Sequence, residues 1–400
     1  MTHAEPSHSE SEHRHAAVPP WRNVRVLRVV LQVAVLLAVA GTIGFLAGNL
    51  TDAMSERGLT FGYRFLDQRA GFEIGESPIP YDANDTYGQA FVVGLLNTLF
   101  VSVTGIVLAT VLGVIVGVAR LSPNWLVSKV AAGYVEVIRN TPLLVQLFLI
   151  YFVVLLQLPA VRDTIALPGS IFLNQRGLFV PGPQMGASFG AWLGLLAVGL
   201  VAAIVGRVIS GRRKAAGRPG YRLGLVGLAL FLFLAVAGWI LPGDPPLTFD
   251  IPERGRFNFS GGLALSTAFT ALLAGLVIYT AAFIAEVVRG GIQAVRRGQL
   301  EAAHALGLSP ADTLRLIIFP QAMRVIVPPL TSQYLNLAKN SSLAIAVGYP
   351  DLFKVGTTMA NQTGAPLPVI ALVMGTYLAM SLATSLLMNL YNRRVQVLER

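Results

Sequence analysis

The stretch Gly298-Gln299-Leu300-Glu301-Ala302-Ala303-His304-Ala305-Leu306-Gly307-Leu308-Ser309-Pro310-Ala311-Asp312-Thr313-Leu314-Arg315-Leu316-Ile317-Ile318-Phe319-Pro320 lies between two apolar runs, 264–284 and 326–347. Gln299 to Leu306 are good helix formers. Gly307 is suited to a left-handed C-cap. Ser309 then caps a second helix, with Pro310 at its first position and Asp312 placed for a capping-box contact. Pro320 is expected to end that helix. The reading is two short helices meeting at a glycine elbow. Ala302, Ala303 and Ala305 are small enough for another surface to approach closely. On physics alone the same stretch also fits an amphipathic loop lying on a membrane interface.

The composition of the whole chain decides what flanks this elbow. Of 400 residues, 54% are apolar and 12% charged, and mean hydropathy is +0.64. A soluble domain carries about 25% charged residues. There is too little charge here to cover water-soluble domains and too much apolar surface to bury. The absence of cysteine removes a disulfide scaffold, thiolate catalysis and Cys-ligated metal. What remains is an integral membrane protein. Its net charge of +10 therefore reports orientation rather than nucleic-acid binding.

A helix needs about 20 mostly apolar residues to cross a bilayer. Eight segments qualify: 29–48, 91–118, 143–158, 190–206, 223–241, 264–284, 326–347 and 367–391. The connecting loops test them. Arg14, Arg22, Arg25 and Arg28 precede the first segment, and the loop after it carries Asp52, Glu56, Asp67, Glu73, Glu76, Asp82 and Asp85. Segments two, four, six and eight are each followed by cations, among them Arg120, Lys129 and Arg139, then Arg212, Arg213 and Lys214, then Arg296 and Arg297, then Arg393 and Arg394. By the positive-inside rule both termini are expected in the cytoplasm. The first segment is longer than a signal-peptide core and lacks a clear cleavage site before Asp52, so it reads as a span. The polar tail 1–25 holds His3, His8, His13 and His15. It reads as a disordered cytoplasmic tail in preference to a metal-binding one.

No Gly-x-x-x-x-Gly-Lys-Ser/Thr loop and no His-Glu-x-x-His occurs in the chain. The candidate chemistry is instead a set of polar groups within spans: Asn97, Thr98 and Ser102, then Asn336, Lys339, Asn340, Ser341 and Ser342. Lysine at a bilayer centre costs about 2.5–3.5 kcal/mol, so Lys339 is expected to face protein or water. Such groups serve either a substrate pathway or internal hydrogen bonds that break the helix near Asn340. Glu286 and Arg289 read as a gate or structural pair, and Glu136 and Arg139 as interfacial. Gly113 with Gly117, and Gly190 with Gly194, suit close helix packing.

The residues Glu301-Ala302-Ala303, Gly307 and Ile318-Phe319-Pro320 resemble the EAA loop of ABC importer permeases, with Phe319 where leucine is usual. Glu136-Val137-Ile138-Arg139-Asn140-Thr141-Pro142, Glu286-Val287-Val288-Arg289-Gly290-Gly291, Leu96-Asn97-Thr98-Leu99 and Lys339-Asn340-Ser341-Ser342 are similar to the polar amino-acid permeases of histidine, glutamine, arginine and opine type. The likeness covers about 88–159 and 263–391. It implies an all-α polytopic bundle of about eight transmembrane helices around a five-helix permease core. The enlarged plan is similar to the Q-type subunit of general L-amino-acid permeases.

The division implied is a tail at 1–25 and an extra helix with its outer loop at 26–87. The permease domain follows at 88–391, interrupted by a two-helix insertion at 159–262, and a second tail occupies 392–400. The resemblance also implies an ATP-driven importer of L-amino acids, in a multi-pass position in the cell inner membrane. This chain is then a transport subunit without a cofactor of its own, ATP and Mg being on the partner. The implied partners are ABC ATPase subunits, a periplasmic amino-acid-binding protein and a second permease, a heterodimer being favoured over a homodimer. Glu301, Ala302, Ala303, Gly307 and Pro320 become the coupling loop by the same likeness. The rivals are an ion-driven secondary transporter, a membrane enzyme and a channel. The first needs membrane-embedded carboxylates, and none of the eight segments contains one.

Overall fold

A computed structural model describes residues 24–56, 62–217, 223–241, 243–255 and 258–395. The four tail histidines lie outside the described residues. α1 (Val24–Glu56) forms a unit by itself, an apolar helix whose described side chains are all exposed.

The second unit begins at Tyr63. A loop leads to α2 (Tyr87–Ala119), which starts at a full capping box between Thr86 and Gln89. α3 (Trp125–Arg139) and α4 (Leu143–Phe148) follow, with Leu149–Val154 widening into a π-helix and Leu155–Gln157 tightening into a 3-10 turn. The third span expected at 143–158 is therefore half of a bent pair, with 105° between Trp125–Arg139 and Leu143–Gln157. Pro142 disfavours helical backbone at Thr141 and forces the corner. Fifteen helical residues rise only about 22 Å, short of a hydrocarbon core of about 30 Å. Lys129, read as a loop residue, and Glu136, read as interfacial, lie on the amphipathic first arm.

The insertion contains more than two helices. β1 (Ile165–Leu167), β2 (Ile171–Asn174), β3 (Gly177–Val180) and β4 (Gly182–Met185) precede α5 (Phe189–Ala215) and α6 (Leu223–Ile240). β5 (Leu247–Asp250), β6 (Glu253–Arg254), β7 (Phe259–Ser260) and β8 (Leu263–Ser266) follow. An antiparallel sheet runs β1-β2-β3-β8, and β4-β5 and β6-β7 pair separately. Phe172 and Phe179 each pack 4.8 Å from the Phe259 ring. The segments flanking the two expected helices thus form a small β layer. Each strand has four residues or fewer, too few for alternation to show.

α5 and α6 pack closely through Gly199, where an added Cβ lies 2.8 Å from Phe231 Cα, and Gly227, where it lies 2.6 Å from Ala203 Cα. Gly190 and Gly194, expected to serve that purpose, face open space. Trp192 instead bonds this pair, donating to the Ala235 carbonyl at 2.9 Å.

α7 (Thr267–Gln293) begins three residues after the start expected from the apolar run, because 264–266 belong to β8. It also extends nine residues further, so Glu286 lies within a spanning helix, which corrects the expectation that no span carries a carboxylate. α8 (Arg297–Ala305) and α9 (Pro310–Asp312) follow, then a π-helix at Thr313–Ile318 and α10 (Phe319–Asn340). Pro320 does not end the helix. The wide π turn before it shifts the bonding pattern, and proline in the first turn lacks only an amide that needs no intrahelical partner. Pro328 and Pro329 lie inside α10. The helix gives way at Ser341–Ala346, a 3-10 stretch, where a local break was expected. α11 (Leu352–Thr363) and α12 (Pro366–Val395) complete the chain.

Among the described residues seven helices are long and apolar enough to span a membrane, or eight with the bent pair counted once. α2 and α7 form the centre. A Cβ on Gly113 would sit 2.6 Å from Ile284 Cβ, and one on Gly117 would sit 2.8 Å from the Ala285 carbonyl oxygen. Val101, Ala109, Leu272, Leu276 and Ile284 are fully buried around this seam. Without a hydrophobic driving force in lipid, such backbone proximity is what holds helices together.

Candidate coupling elbow, charge knot and cavities

The elbow is built from local rules. Gly307 has φ 72°. Its amide donates to the His304 carbonyl at 3.0 Å and the Leu308 amide to the Ala303 carbonyl at 3.1 Å, a Schellman pair. Ser309 Oγ accepts from the Asp312 amide at 3.1 Å, and Pro310 is the first helical residue after it. Ala303 is buried and anchors α8. Glu301, Ala302 and Gly307 are exposed, and Leu306 is 80% exposed. A Cβ at Gly307 would meet nothing within 4 Å, so the demand for glycine there comes from the backbone angle alone. Only Ala294–Arg296 separate α7 from α8, and α9 continues through the π turn into α10. Pro320 is exposed on that continuation. The elbow is thus an outward-facing knob fixed to two long helices.

Beside it, Glu286 gathers three arginines. Its carboxylate accepts from Arg120 at the end of α2 and from Arg289 one turn along α7, and Arg139 of α3 stands 4.0 Å away. Arg139 also lies over the Phe283 ring at 5.2 Å. The expected Glu286–Arg289 pair is present, but Arg120, read as a loop residue, and Arg139, read as interfacial, are partners that sequence reading did not join to it. A cavity of about 360 Å³ beside the knot is lined by Arg120, Glu136, Arg139 and Glu286.

The pathway candidates separate into two groups. Asn97 and Thr98 are buried, and their side chains are used within the chain. Asn97 Nδ2 donates to the carbonyls of Glu76 at 2.8 Å and Pro350 at 2.9 Å, and Thr98 Oγ1 accepts from the Leu352 amide at 2.9 Å. Ser341 is buried and donates to the Ala338 carbonyl at 2.8 Å. Asn336 and Lys339 are exposed and Asn340 is half-buried. Lys339 and Ser342 line a largely apolar groove of about 700 Å³ formed with α11 and α12. Asn97, Thr98 and Ser341 do not line that groove.

A third hollow, of about 570 Å³, lies at the N-terminal end of α7 between the 72–76 loop, the β2–β3 turn and α11. Burial raises the Glu76 carboxyl above its ordinary value, against the lowering effect of the Ser266 hydroxyl that donates to it. Nearby, Asp351 is fully buried as the N-cap of α11. Burial pushes its carboxyl up to about 6, although the Lys354 amide at 2.9 Å and the Tyr377 hydroxyl at 3.1 Å both donate to it. Sequence reading missed Glu76 and Asp351 as special positions. The hint was an acidic residue or Asn in a loop next to a span rich in small polar groups.

Residues 109–399 match the family model described as "Binding-protein-dependent transport system inner membrane component". The chain is 45% identical over 390 residues to the putative amino-acid ABC transporter permease protein YhdX of Escherichia coli (strain K12), covering 95% of this chain and 97% of that one. It is 44% identical over 378 residues to the general L-amino acid transport system permease protein AapQ of Rhizobium johnstonii, covering 93% of each. It is 42% identical over 410 alignment positions to the glutamate/glutamine/aspartate/asparagine transport system permease protein BztB of Rhodobacter capsulatus, covering 94% of this chain and 96% of that one.

Proposed function

The chain belongs to the family of binding-protein-dependent transport system inner membrane components, as a multi-pass permease subunit of an amino-acid ABC importer, and we propose that its elbow is where a separate ATPase grips it. The observation that carries this is the elbow's construction: Glu301, Ala302 and Leu306 face outward while Ala303 is buried, and both arms lead directly into spanning helices. Closure of an ATPase dimer then moves α7 and α10 as levers and exchanges inward for outward access. ATP and Mg belong to that partner chain. The driving energy is the ATPase's differential affinity for the two states.

In this reading the elbow is cytoplasmic, both termini are inside, and the host membrane is the cell inner membrane. A second, related permease chain completes the pathway, and a periplasmic binding protein delivers a polar or broad range of L-amino acids. Asn336, Lys339 and Asn340 face the substrate route, supported by the exposure of Asn336 and Lys339 and by the groove that Lys339 lines. Asn97, Thr98 and Ser341 support that route from behind through the bonds described above. Glu286, though inside α7, is engaged by arginines and is poorly placed as an ion-coupling carboxylate.

The test is Gly307→Val. A β-branched residue at φ 72° is strained by about 1–2 kcal/mol, and nothing packs on it to compensate. The variant is expected to insert and assemble with its partners but to lose substrate-stimulated ATP hydrolysis and uptake. Normal uptake by the variant would refute the assignment. Wild-type uptake into vesicles is expected to survive an uncoupler and to stop with vanadate.

A further inference from the structure

The 570 Å³ hollow at the start of α7 is within the size range of small-molecule sites, about 300–1,000 Å³. Its lining includes Glu76, Arg176, Ser266 and Lys354. Among the described residues Glu76 has no ion-pair partner; its carboxylate accepts from the Ser266 hydroxyl alone. Lys354 Nζ donates to the Gly348 carbonyl at 2.9 Å, which leaves two of its donors. The Arg176 guanidinium pairs with no carboxylate among the described residues. One hollow thus holds an anion and two cations that do not neutralise one another.

The walls are fixed by long-range hydrogen bonds. Asn97 holds the Glu76 and Pro350 carbonyls together. Ser266 accepts from the Phe269 amide at 3.0 Å while it donates to Glu76. Thr267 Oγ1 donates to the Gln175 carbonyl at 2.9 Å and ties the turn carrying Arg176 to α7. Separated charges on preorganised walls suit a ligand that carries both signs a short distance apart. An uncharged solute would leave Glu76 unpaired, and a simple anion would be repelled by it.

We propose that this hollow is a subsite for the zwitterion of an α-amino acid, with the ammonium on Glu76 and the carboxylate on Arg176 and Lys354. It is separate from the groove lined by Lys339. Glu76 precedes the 109–399 stretch that matches the family model, and Arg176 lies in the inserted β layer, so the subsite joins residues outside the core to Lys354 of the core. The inference rests on the reading that the chain carries amino acids, and its test separates the two.

The assembled transporter is placed in lipid nanodiscs without nucleotide and without binding protein, and equilibrium binding of radiolabelled L-glutamine and L-glutamate is measured. Wild type is expected to bind at least one of them. Glu76→Gln preserves an acceptor for Ser266, and Arg176→Gln lies on an exposed turn, so both variants are expected to assemble. Each should weaken binding about tenfold or more, the equivalent of one charge-assisted hydrogen bond. The N-acetylated amino acid should not compete. Unchanged affinity in Glu76→Gln, competition by the N-acetyl compound, or no binding by a wild-type complex that imports the same amino acid would overturn the subsite while leaving the import reading intact. ATP-driven uptake by wild-type vesicles is followed in parallel. Absence of amino-acid uptake there would overturn the import reading, and the subsite with it.

Discussion

At its C-terminal end α7 carries Glu286 among Arg120, Arg139 and Arg289, and at its N-terminal end Ser266 holds the carboxylate of Glu76 against an open hollow. Both ends place one carboxylate beside the α2–α7 seam. The elbow end surrounds it with cations from three helices, so its charge serves to join those helices. The cavity end gives it one hydroxyl and partial burial, so its charge is a cost to the folded chain unless something arrives to pair with it. The difference separates a carboxylate used as a structural tie from one available for recognition.

The largest effect expected from breaking this contrast is at the elbow end. Glu286→Ala leaves Arg120 and Arg289 facing each other without a counter-charge. Removing one partner from a buried pair costs about 3–5 kcal/mol, and with the Glu286 side chain still 28% exposed the lower end applies. Thermal unfolding of the solubilised transporter should fall by several degrees. The double variant Glu286→Gln with Arg289→Gln should recover part of the loss, since it removes the repulsion as well as the attraction. If the single and double variants unfold alike, the knot is not a tie.

A smaller effect is expected at the cavity end. Asn97→Ala removes donors from two carbonyls, those of Glu76 and Pro350, in a position only 2% exposed. Leaving buried acceptors unmatched costs about 2 kcal/mol here. The same substitution loosens both rims of the hollow. Hydrogen exchange in the 72–76 segment should therefore rise more than at the elbow, and equal changes at both ends would contradict the division.

What the sequence shows of these ends follows the range of the interactions. The elbow is legible because every contact that makes it spans a few residues: Gly307 to His304, Leu308 to Ala303, Ser309 to Asp312. The Glu286–Arg120 bond joins positions 166 apart, and the Ser266–Glu76 bond joins positions 190 apart, so no spacing rule announces either. The apolar spans were legible from composition, but the corner at Pro142 and the passage of the helix through Pro320 were not. Both turn on whether neighbouring backbone can adapt, the first by breaking and the second by a π turn. The glycines divide the same way. Gly113 and Gly117 meet α7, whereas Gly190 and Gly194 share their pattern and meet nothing, because pattern alone does not say which face of a helix has a neighbour.

The smallest expected effect has the opposite sign and isolates the recognition carboxylate. Glu76 has its carboxyl raised from an ordinary value of 4.5, chiefly by burial. Below that ordinary value the group is protonated in both folded and unfolded chains, and its contribution to stability is fully present. As pH rises, the unfolded chain ionises first while the folded chain resists, so stability falls until pH passes the raised folded value. Glu76→Gln has no charge to desolvate. Across that window it should lose less stability than wild type, and at neutral pH it should be slightly more stable. Glu286→Gln should be less stable than wild type at the same pH, since there the charge is what the three arginines hold. Thermal scans of the two glutamine variants between pH 4 and 8 give the comparison directly. If both substitutions shift stability in the same direction at neutral pH, the two carboxylates do not play opposite parts, and Glu76 is a structural tie like its counterpart.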